Sequence, residues 1–191
     1  MLTQQRERQS IVATLLTDHS YRPEFWNENQ DRLLSNNCYT YALGCFFDGL
    51  SNCDFPRPGD RYSILKGREE WWRKTNSLDM ERHLCNDGLR KVDISRGILA
   101  QPGFYLVACF VDDGPTPDFH FMRQHPDGRW SHKIGAFAPV SDRDSHGNLI
   151  TDPRSAARSI TAFHTGHFMG FFEVPNTGIA LHAPLKSGSA G

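Results

Sequence analysis

One stretch near the middle of the chain constrains the fold more than any other, because an unbroken apolar run is followed closely by a hairpin signal. Residues 104–111 read Phe-Tyr-Leu-Val-Ala-Cys-Phe-Val, which has the length and composition of a strand covered on both faces. Residues 118–124 and 129–134 then flank His-Pro-Asp-Gly at 125–128, and Pro-Asp-Gly is typical of a tight turn with its glycine in the left-handed region. The sequence therefore predicts a central strand beside a β-hairpin.

The segments before this region carry helical rather than alternating patterns. The Asn36-Asn37 pair provides a cap signal, and Cys38, Tyr41 and Cys45 then fall on one helical stripe. The expected elements are a helix within 3–16, a buried helix from Cys38 to about Asp48-Gly49, a loop over 51–67, a helix from about 75 to Asp87-Gly88 with Leu78 and Leu84 inward beside Trp71-Trp72, and a last strand over 167–174.

This order of elements, helices first and strands later, predicts an α+β fold with N-terminal helices packed on one side of a central antiparallel sheet. The chain has 191 residues, of which 38% are hydrophobic. That length suits one domain with a substantial core. We expect a single domain over 1–185 and a flexible tail over 186–191.

Composition excludes several classes of partner. Lys and Arg number 21 against 22 Asp and Glu, so the formal net charge of −1 predicts no binding to nucleic acid and none to anionic membranes. Mean hydropathy is −0.53, and no apolar stretch approaches a membrane span. The N-terminal segment does not read as a signal peptide, and five cysteines leave at least one thiol free. We expect a cytoplasmic protein, or one exported without a classical signal peptide.

Two histidines of the hairpin form the first candidate constellation. If the turn pairs residue 125 with residue 129, then Met122 opposes His132 and His120 opposes Ile134. The imidazoles of His120 and His132 then become diagonal neighbours on one face of the hairpin, whereas an odd register would separate them. The hairpin therefore predicts a pair of interacting histidines.

A cysteine at a helix start completes the candidate site. The positive end of a helix favours a thiolate, so Cys38 is the candidate nucleophile. A backbone N–H at the same helix start can stabilise an oxyanion, with the Asn37 side chain beside it. His120 would act as the base and His132 would orient it. The order Cys, His, polar partner is the order of papain-type enzymes.

These residues resemble the NlpC/P60 type of cysteine peptidases and amidases in the papain-like superfamily. The resemblance maps the nucleophile onto Cys38, the base onto His120 in Asp-Phe-His-Phe-Met-Arg, and the polar partner onto His132 in Trp-Ser-His-Lys. It implies a papain-like fold, amide hydrolysis or transfer, and a peptide, peptidoglycan or protein substrate with no cofactor. Trp26 takes the place of a Tyr that members tend to carry, and Asn37-Cys38-Tyr39-Thr40 replaces their usual Asp-Cys-Ser-Gly. The Asn-Asn-Cys-Tyr and Asp-Gly-Arg-Trp-Ser-His-Lys blocks also look like those of uncharacterised bacterial proteins.

Other interpretations of the same residues stay open. Cys38 could be an ordinary core thiol in a non-catalytic binding or effector module. His120, His132 and Asp118 could instead hold a metal ion, and His164 and His167 form a weaker metal signal. Three cations of the hairpin are expected on its solvent face: Arg123, Arg129 and Lys133. No sequence pattern shows whether an inhibitor or immunity protein binds the chain.

Overall fold

The fold is α+β, with short helices preceding an antiparallel sheet in the chain. The computed structural model describes residues 10–50, 53–66, 77–114, 117–158 and 166–186. The helices are α1 Pro23–Asn27, α2 Gln30–Ser35, α3 Cys38–Ala42, α4 Asp60–Leu65 and α5 Ser77–Asp87. The strands are β1 Ser10–Val12, β2 Thr14–Leu15, β3 Cys45–Phe46, β4 Arg90–Lys91, β5 Phe104–Asp112, β6 Asp118–Gln124, β7 Trp130–Lys133, β8 Val140–Ser141, β9 His167–Pro175 and β10 His182–Pro184.

A six-stranded sheet forms the centre of the molecule, in the order β4-β9-β5-β6-β7-β8. Strand β5 is buried at every position between its two ends. The continuous apolar run of the sequence therefore does form the predicted central strand, which needs apolar side chains on both faces because both faces are covered. The predicted last strand is confirmed as β9, which lies directly beside β5.

The predicted hairpin is confirmed together with its register. Met122 opposes His132, and the His125 N–H donates to the Arg129 carbonyl at 2.8 Å. Gly128 closes the turn at a φ of 84°, a conformation that only glycine adopts readily. Because the side-chain period of a strand is two, this register puts His120, Met122 and His132 on one face and their neighbours on the other.

The two faces of the sheet are covered in different ways. On one face Val107, Cys109 and Phe121 pack in a core cluster with Tyr39 of α3 and Leu84 of α5. On the other face the core cluster is built from strand residues and from side chains of the connecting segments. Its members include Ala108, Phe110, Met122, Trp130, Ile150 and Phe171, with Val92, Ile98, Ala100 and Ala156 packed against them. Helices therefore cover one side of the sheet, as predicted, and irregular chain covers the other.

Helix α3 is shorter than the predicted helix. Its Asn37 cap is confirmed, because the side-chain oxygen accepts from Tyr39 N and Thr40 N. The prediction that it continues to Asp48-Gly49 is wrong. Gly44, at a φ of 68°, turns the chain, and Cys45–Phe46 then pairs with β2. A Cβ at Gly44 would lie 2.7 Å from the His19 ring, so the turn requires a glycine here.

The N-terminal segment differs most from the prediction. Residues 3–9 lie outside the described residues, and the remainder of the expected helix forms two short strands. β1 pairs with β10, and β2 pairs with β3. The β-branched side chains Ile11, Val12 and Thr14 suit strands, and the strand partners they meet come from distant parts of the chain.

Two further expectations are corrected in the segments around α4 and α5. The segment expected to be a loop contains α4, which starts after Gly59 in a left-handed conformation. Helix α5 ends at Asp87 as predicted, with Leu84 fully buried, but Leu78 is 89% exposed and does not point inward. Trp71, Trp72, His164 and residues 187–191 lie outside the described residues. Among the described helices, none is long and apolar enough to cross a membrane.

Candidate functional site

A cavity of about 450 Å³ lies beyond the ends of β6 and β7, next to the start of α3. Its walls come from the start of α3, from the segment after β3, from the start of β6 and from the segment that follows β7. The lining residues are Asn37, Cys38, Phe55, Arg57, residues 117–120 and residues 134–138. The fold thus brings the candidate nucleophile Cys38 and the candidate base His120 to one cavity although they are distant in sequence.

The Cys38 thiol is protonated at neutral pH. Cys38 is the first residue of α3 and only 4% exposed, and its Sγ lies 3.7 Å from the Phe119 carbonyl oxygen. Burial, and then the charge of Asp118, raises the pKa of the Cys38 thiol to about 12, although the Lys133 charge acts in the opposite direction. The expectation that the helix start favours a thiolate is therefore wrong. Burial of the thiol raises its pKa by more than the dipole of a five-residue helix lowers it.

The predicted histidine pair is present. His120 Nε2 lies 2.9 Å from His132 Nδ1, and the ring planes meet at 75°. Both residues are buried. The diagonal relation inferred from the hairpin register is therefore a direct hydrogen bond between the rings.

A backbone carbonyl fixes the protonation pattern of this pair in its neutral state. His132 Nε2 lies 3.0 Å from the Arg143 carbonyl oxygen, which can only accept, so His132 carries its proton on Nε2. His132 Nδ1 must then accept, and His120 Nε2 must donate to it. The lone pair of neutral His120 is therefore on Nδ1, the nitrogen that would act as a base.

The sheet separates the histidines from the helix on its other side. The ring of His120 leaves β6 on the face of Met122, whereas Phe121 points to the face covered by α3. Cys38 belongs to the α3 side. Cys38 and His120 therefore come from opposite faces of the sheet, and both line the cavity because it extends beyond the ends of the strands.

Asn37 is held in place as a helix cap. Its side-chain oxygen accepts from two backbone N–H groups, and its Nδ2 donates to the Pro56 carbonyl at 2.9 Å. These contacts engage both ends of the amide. Asn37 therefore has a structural role in the wall of the cavity. Its contacts do not support the expected oxyanion role of its side chain.

Trp26 lies away from the cavity of Cys38. It is 3% exposed and packs edge-on against Tyr41, with ring centroids 5.0 Å apart. It lines a second cavity of about 270 Å³ instead. The expectation that Trp26 positions a substrate at the site of Cys38 is therefore wrong, because Trp26 does not line that cavity.

The sequence interpretation missed two buried cations in the hairpin. Lys133 is fully buried and Arg123 is 1% exposed, so the expectation that they face solvent is wrong. Lys133 Nζ donates to the Gly135 and Ala136 carbonyls, at 3.0 and 2.9 Å, and so fixes one wall of the cavity. Burial lowers the pKa of the Lys133 ammonium to about 8. The alternation of side chains along β7 could have predicted the burial of Lys133. Because Lys133 is a neighbour of His132, it must point to the opposite face, which is the helix side.

The metal alternative gains no third ligand from the fold. Within the described ranges, no group of three or more His, Cys, Asp or Glu side chains is placed to hold a metal ion. The hydrogen bond between the two rings occupies the nitrogens that face each other. A metal bound by His120, His132 and Asp118 would have to break this bond.

Comparison with known proteins relates this chain to a shell matrix protein. No family model and no solved structure matches the chain. Insoluble matrix shell protein 1 of Ruditapes philippinarum is 33% identical over 138 residues, which is 72% of this chain and 80% of the relative. The chain belongs to the family of that protein. The name of insoluble matrix shell protein 1 describes an insoluble component of a shell matrix, and the relation leaves the NlpC/P60 resemblance a hypothesis.

Proposed function

We propose that this chain is a papain-like cysteine hydrolase that cleaves, or transfers at, an amide bond. The single observation that carries the proposal is the shared cavity. It is lined by a thiol at a helix start and by an imidazole whose tautomer is set by a second imidazole and a carbonyl. A nucleophile, a base and a group that orients the base form the minimal set for covalent acyl transfer.

In the proposed reaction the Cys38 proton passes to His120 Nδ1 as the sulfur attacks the carbonyl carbon. Because the thiol is neutral at rest, His120 acts as a general base during attack rather than as half of a resting ion pair. The two groups come from opposite faces of the sheet and His120 Nδ1 is buried, so the proposal requires substrate binding to bring the sulfur and Nδ1 within reach, directly or through one water molecule. The Cys38 N–H, at the first turn of α3, has no partner within the helix and is available to the oxyanion.

The second half of the reaction restores the enzyme. Protonated His120 gives its proton to the leaving nitrogen as the C–N bond breaks, which leaves an acyl group on Cys38. Water then attacks the thioester, His120 takes its proton, and the acid is released with the thiol regenerated. His132 stabilises the imidazolium that forms in each half, because its Nδ1 accepts from His120 Nε2.

A peptide amide is the favoured substrate. The NlpC/P60 resemblance favours a peptidoglycan stem peptide, with a protein side-chain amide as the alternative. The cavity volume of about 450 Å³ accommodates a few residues of a peptide, and its walls carry one cation, Arg57, and one carboxylate, Asp118.

The test compares Cys38→Ala and His120→Ala with the matched controls Cys85→Ala and His146→Ala, which change exposed residues of the same types. Two readouts are used: new amino groups released from purified peptidoglycan, and an acetyl adduct on Cys38 formed with 4-nitrophenyl acetate and located by mass spectrometry. The adduct is measured in the Cys85→Ala background, because the exposed Cys85 thiol reacts with the ester by itself. We expect both site variants to lose both signals while the controls keep them, and amino-group release retained in folded Cys38→Ala, or no adduct on Cys38, would contradict the proposal.

A structural role in an insoluble matrix is the second candidate function, and the family relation favours it. In that case Cys38 would be an ordinary core thiol, in line with its burial and its raised pKa. The two candidates differ in one measurable respect. A matrix protein would form assemblies that sediment, and Cys38→Ala would assemble to the same extent as the unaltered chain. The unaltered chain would form no acyl adduct on Cys38.

A further inference from the structure

The second cavity, of about 270 Å³, contains a feature that a structural core rarely tolerates: a buried guanidinium without a carboxylate. Arg123 lines this cavity and is 1% exposed. Among the described residues, no Asp or Glu forms an ion pair with it. Burying a charge costs several kcal/mol unless it is paired, so a missing counter-ion requires an explanation.

The neighbours of Arg123 are neutral. Nη1 donates to the Tyr41 carbonyl at 3.3 Å, and Nη2 donates to His19 Nδ1 at 2.6 Å. The guanidinium carbon lies 4.6 Å from the centroid of the Tyr105 ring. Nε is buried and has no hydrogen-bond partner. These contacts hold the guanidinium in position but leave its charge uncompensated.

The other titratable groups of this cavity do not neutralise Arg123. Burial lowers the pKa of His125 to about 4, so that ring is neutral at pH 7. Asp18 and Arg22 form an ion pair at 3.2 Å, and both side chains are about half exposed, so they form the rim. Hydrogen bonds from Ser20 and Arg22 hold the pKa of the Asp18 carboxyl to about 2. The net charge of the cavity wall is therefore one positive charge, located on Arg123.

The remaining walls select the rest of a ligand. Phe25, Trp26, Phe46 and Tyr41 supply aromatic surface. At roughly 30 Å³ for each water-sized group, the cavity holds about nine non-hydrogen atoms. One cation next to aromatic walls suits a small carboxylate with a flat apolar body better than a dianionic phosphate, which needs more donors.

We propose that this second cavity is a binding site for a small organic carboxylate, with Arg123 as its counter-ion and Trp26 against its apolar body. The carboxylate would supply, at the cavity wall, the negative charge that no described carboxylate provides to this guanidinium. The site is independent of Cys38, because the two cavities share no lining residue.

The experiment uses benzoate and its uncharged isostere benzamide as probes, measured by calorimetry on the full chain. We expect benzoate to bind about 10- to 100-fold more tightly than benzamide, the range of a buried charge-assisted hydrogen bond. Arg123→Met should reduce benzoate affinity by a similar factor without changing benzamide binding. Arg22→Gln, at the rim, serves as the matched control and should change it by less than about threefold.

Two features keep this test decisive. Replacing an unpaired buried charge by Met is neutral or favourable for folding, so the variant should be soluble, and the comparison of benzoate with benzamide on the unaltered chain needs no variant. Trp26→Phe should remove the fluorescence change on benzoate binding but retain binding. Equal affinity for the two probes, no benzoate binding at millimolar concentration, binding of inorganic phosphate alone, or full affinity in folded Arg123→Met would overturn the proposal.

Discussion

Two cavities lie at opposite ends of helix α3, and their walls carry different chemistry. The first lies at the start of the helix and is lined by His120 and by Cys38, whose thiol burial keeps neutral. The second lies near the end of the helix, next to Tyr41, and its inner wall carries the cation Arg123. One five-residue helix and one hairpin thus provide lining residues to both cavities, because β6 presents His120 on one face of the sheet and Arg123 on the other.

The difference shows how far burial controls charge in this fold. Cys38 is buried and takes its neutral form, since a thiol can keep its proton. Arg123 is buried just as completely, and a guanidinium is a permanent cation. The thiol of the first cavity therefore becomes charged only when it loses its proton, whereas the second cavity contains a permanent, unbalanced charge and needs a ligand to balance it.

The largest expected effect that tests the contrast between the neutral thiol of the first cavity and the cation of the second is a difference in thiol reactivity. With a pKa of about 12, only about one Cys38 in ten thousand is a thiolate at pH 8. Cys85 is exposed, and although partial burial raises its pKa, reagents reach it freely. We expect iodoacetamide to label Cys85 at least about 100-fold faster than Cys38, measured by mass spectrometry of peptides.

Cys85→Ala provides the control for the labelling experiment, since it removes the fast reaction and exposes any slow one at Cys38. Rapid labelling of Cys38 in that variant would show that the first cavity stabilises an anion. The contrast between a neutral and a charged cavity would then fail, and a resting thiolate–imidazolium pair would replace the general-base step.

The sequence predicted the parts of the first cavity that depend on local geometry. The Pro-Asp-Gly turn defined the hairpin register, and this register placed His120 beside His132. The apolar run of β5 and the cap at Asn37 were equally local signals. Each of these features is decided within about twenty residues of chain, where turn chemistry and alternation operate directly.

The parts that could not be predicted depend on distant partners. The N-terminal strands form because β10 and β3 lie beside them, and helical spacing of Ile11 and Leu15 carries no information on that. The sequence predicts solvent-facing positions for Arg123 and Lys133, because charged side chains in hairpins usually face solvent. Only the packing of α3 against that face, a tertiary contact, buries them.

The next effect, smaller than the thiol contrast, concerns His132 and rests on the proposed function. Removing it in His132→Ala eliminates the acceptor that keeps the His120 proton on Nε2, so His120 Nδ1 is no longer fixed as the base. We expect the hydrolysis rate constant kcat to fall by about 100-fold with KM little changed. His132→Asn, whose side-chain oxygen can accept from His120, should recover part of the loss.

The pH dependence of the rate separates positioning from a merely structural role. If His132 orients His120, the alanine variant should show a displaced acidic limb of its rate profile in addition to the lower kcat. An unchanged profile together with a lowered melting temperature would assign His132 to packing alone and remove it from the proposed mechanism.

A third test examines the neutrality of the second cavity through the stability of the protein. Burial holds the pKa of His125 at about 4 in the folded chain, against about 6.5 when unfolded. As the pH falls from 6.5 towards 4, the unfolded chain takes up a proton that the folded chain refuses, so the free energy of unfolding decreases by up to about 3 kcal/mol. Denaturant titrations at several pH values should show this change as a difference between the unaltered chain and His125→Gln, because other titrating groups contribute equally to both.

Asp87 provides the opposing control in the same pH range. Burial raises the pKa of its carboxyl to about 6, although Tyr39, Gly59 and Tyr62 donate hydrogen bonds to it. Its contribution to stability is therefore complete below about pH 4 and is lost as the pH rises through 6, the reverse of His125. In Asp87→Asn the loss of stability on acidification should become steeper, whereas in His125→Gln stability should increase on acidification. If the free energy of unfolding depends on pH in the same way in both variants and in the unaltered chain, neither buried group has the shifted pKa given above. The contrast in charge between the two cavities would then lose its support.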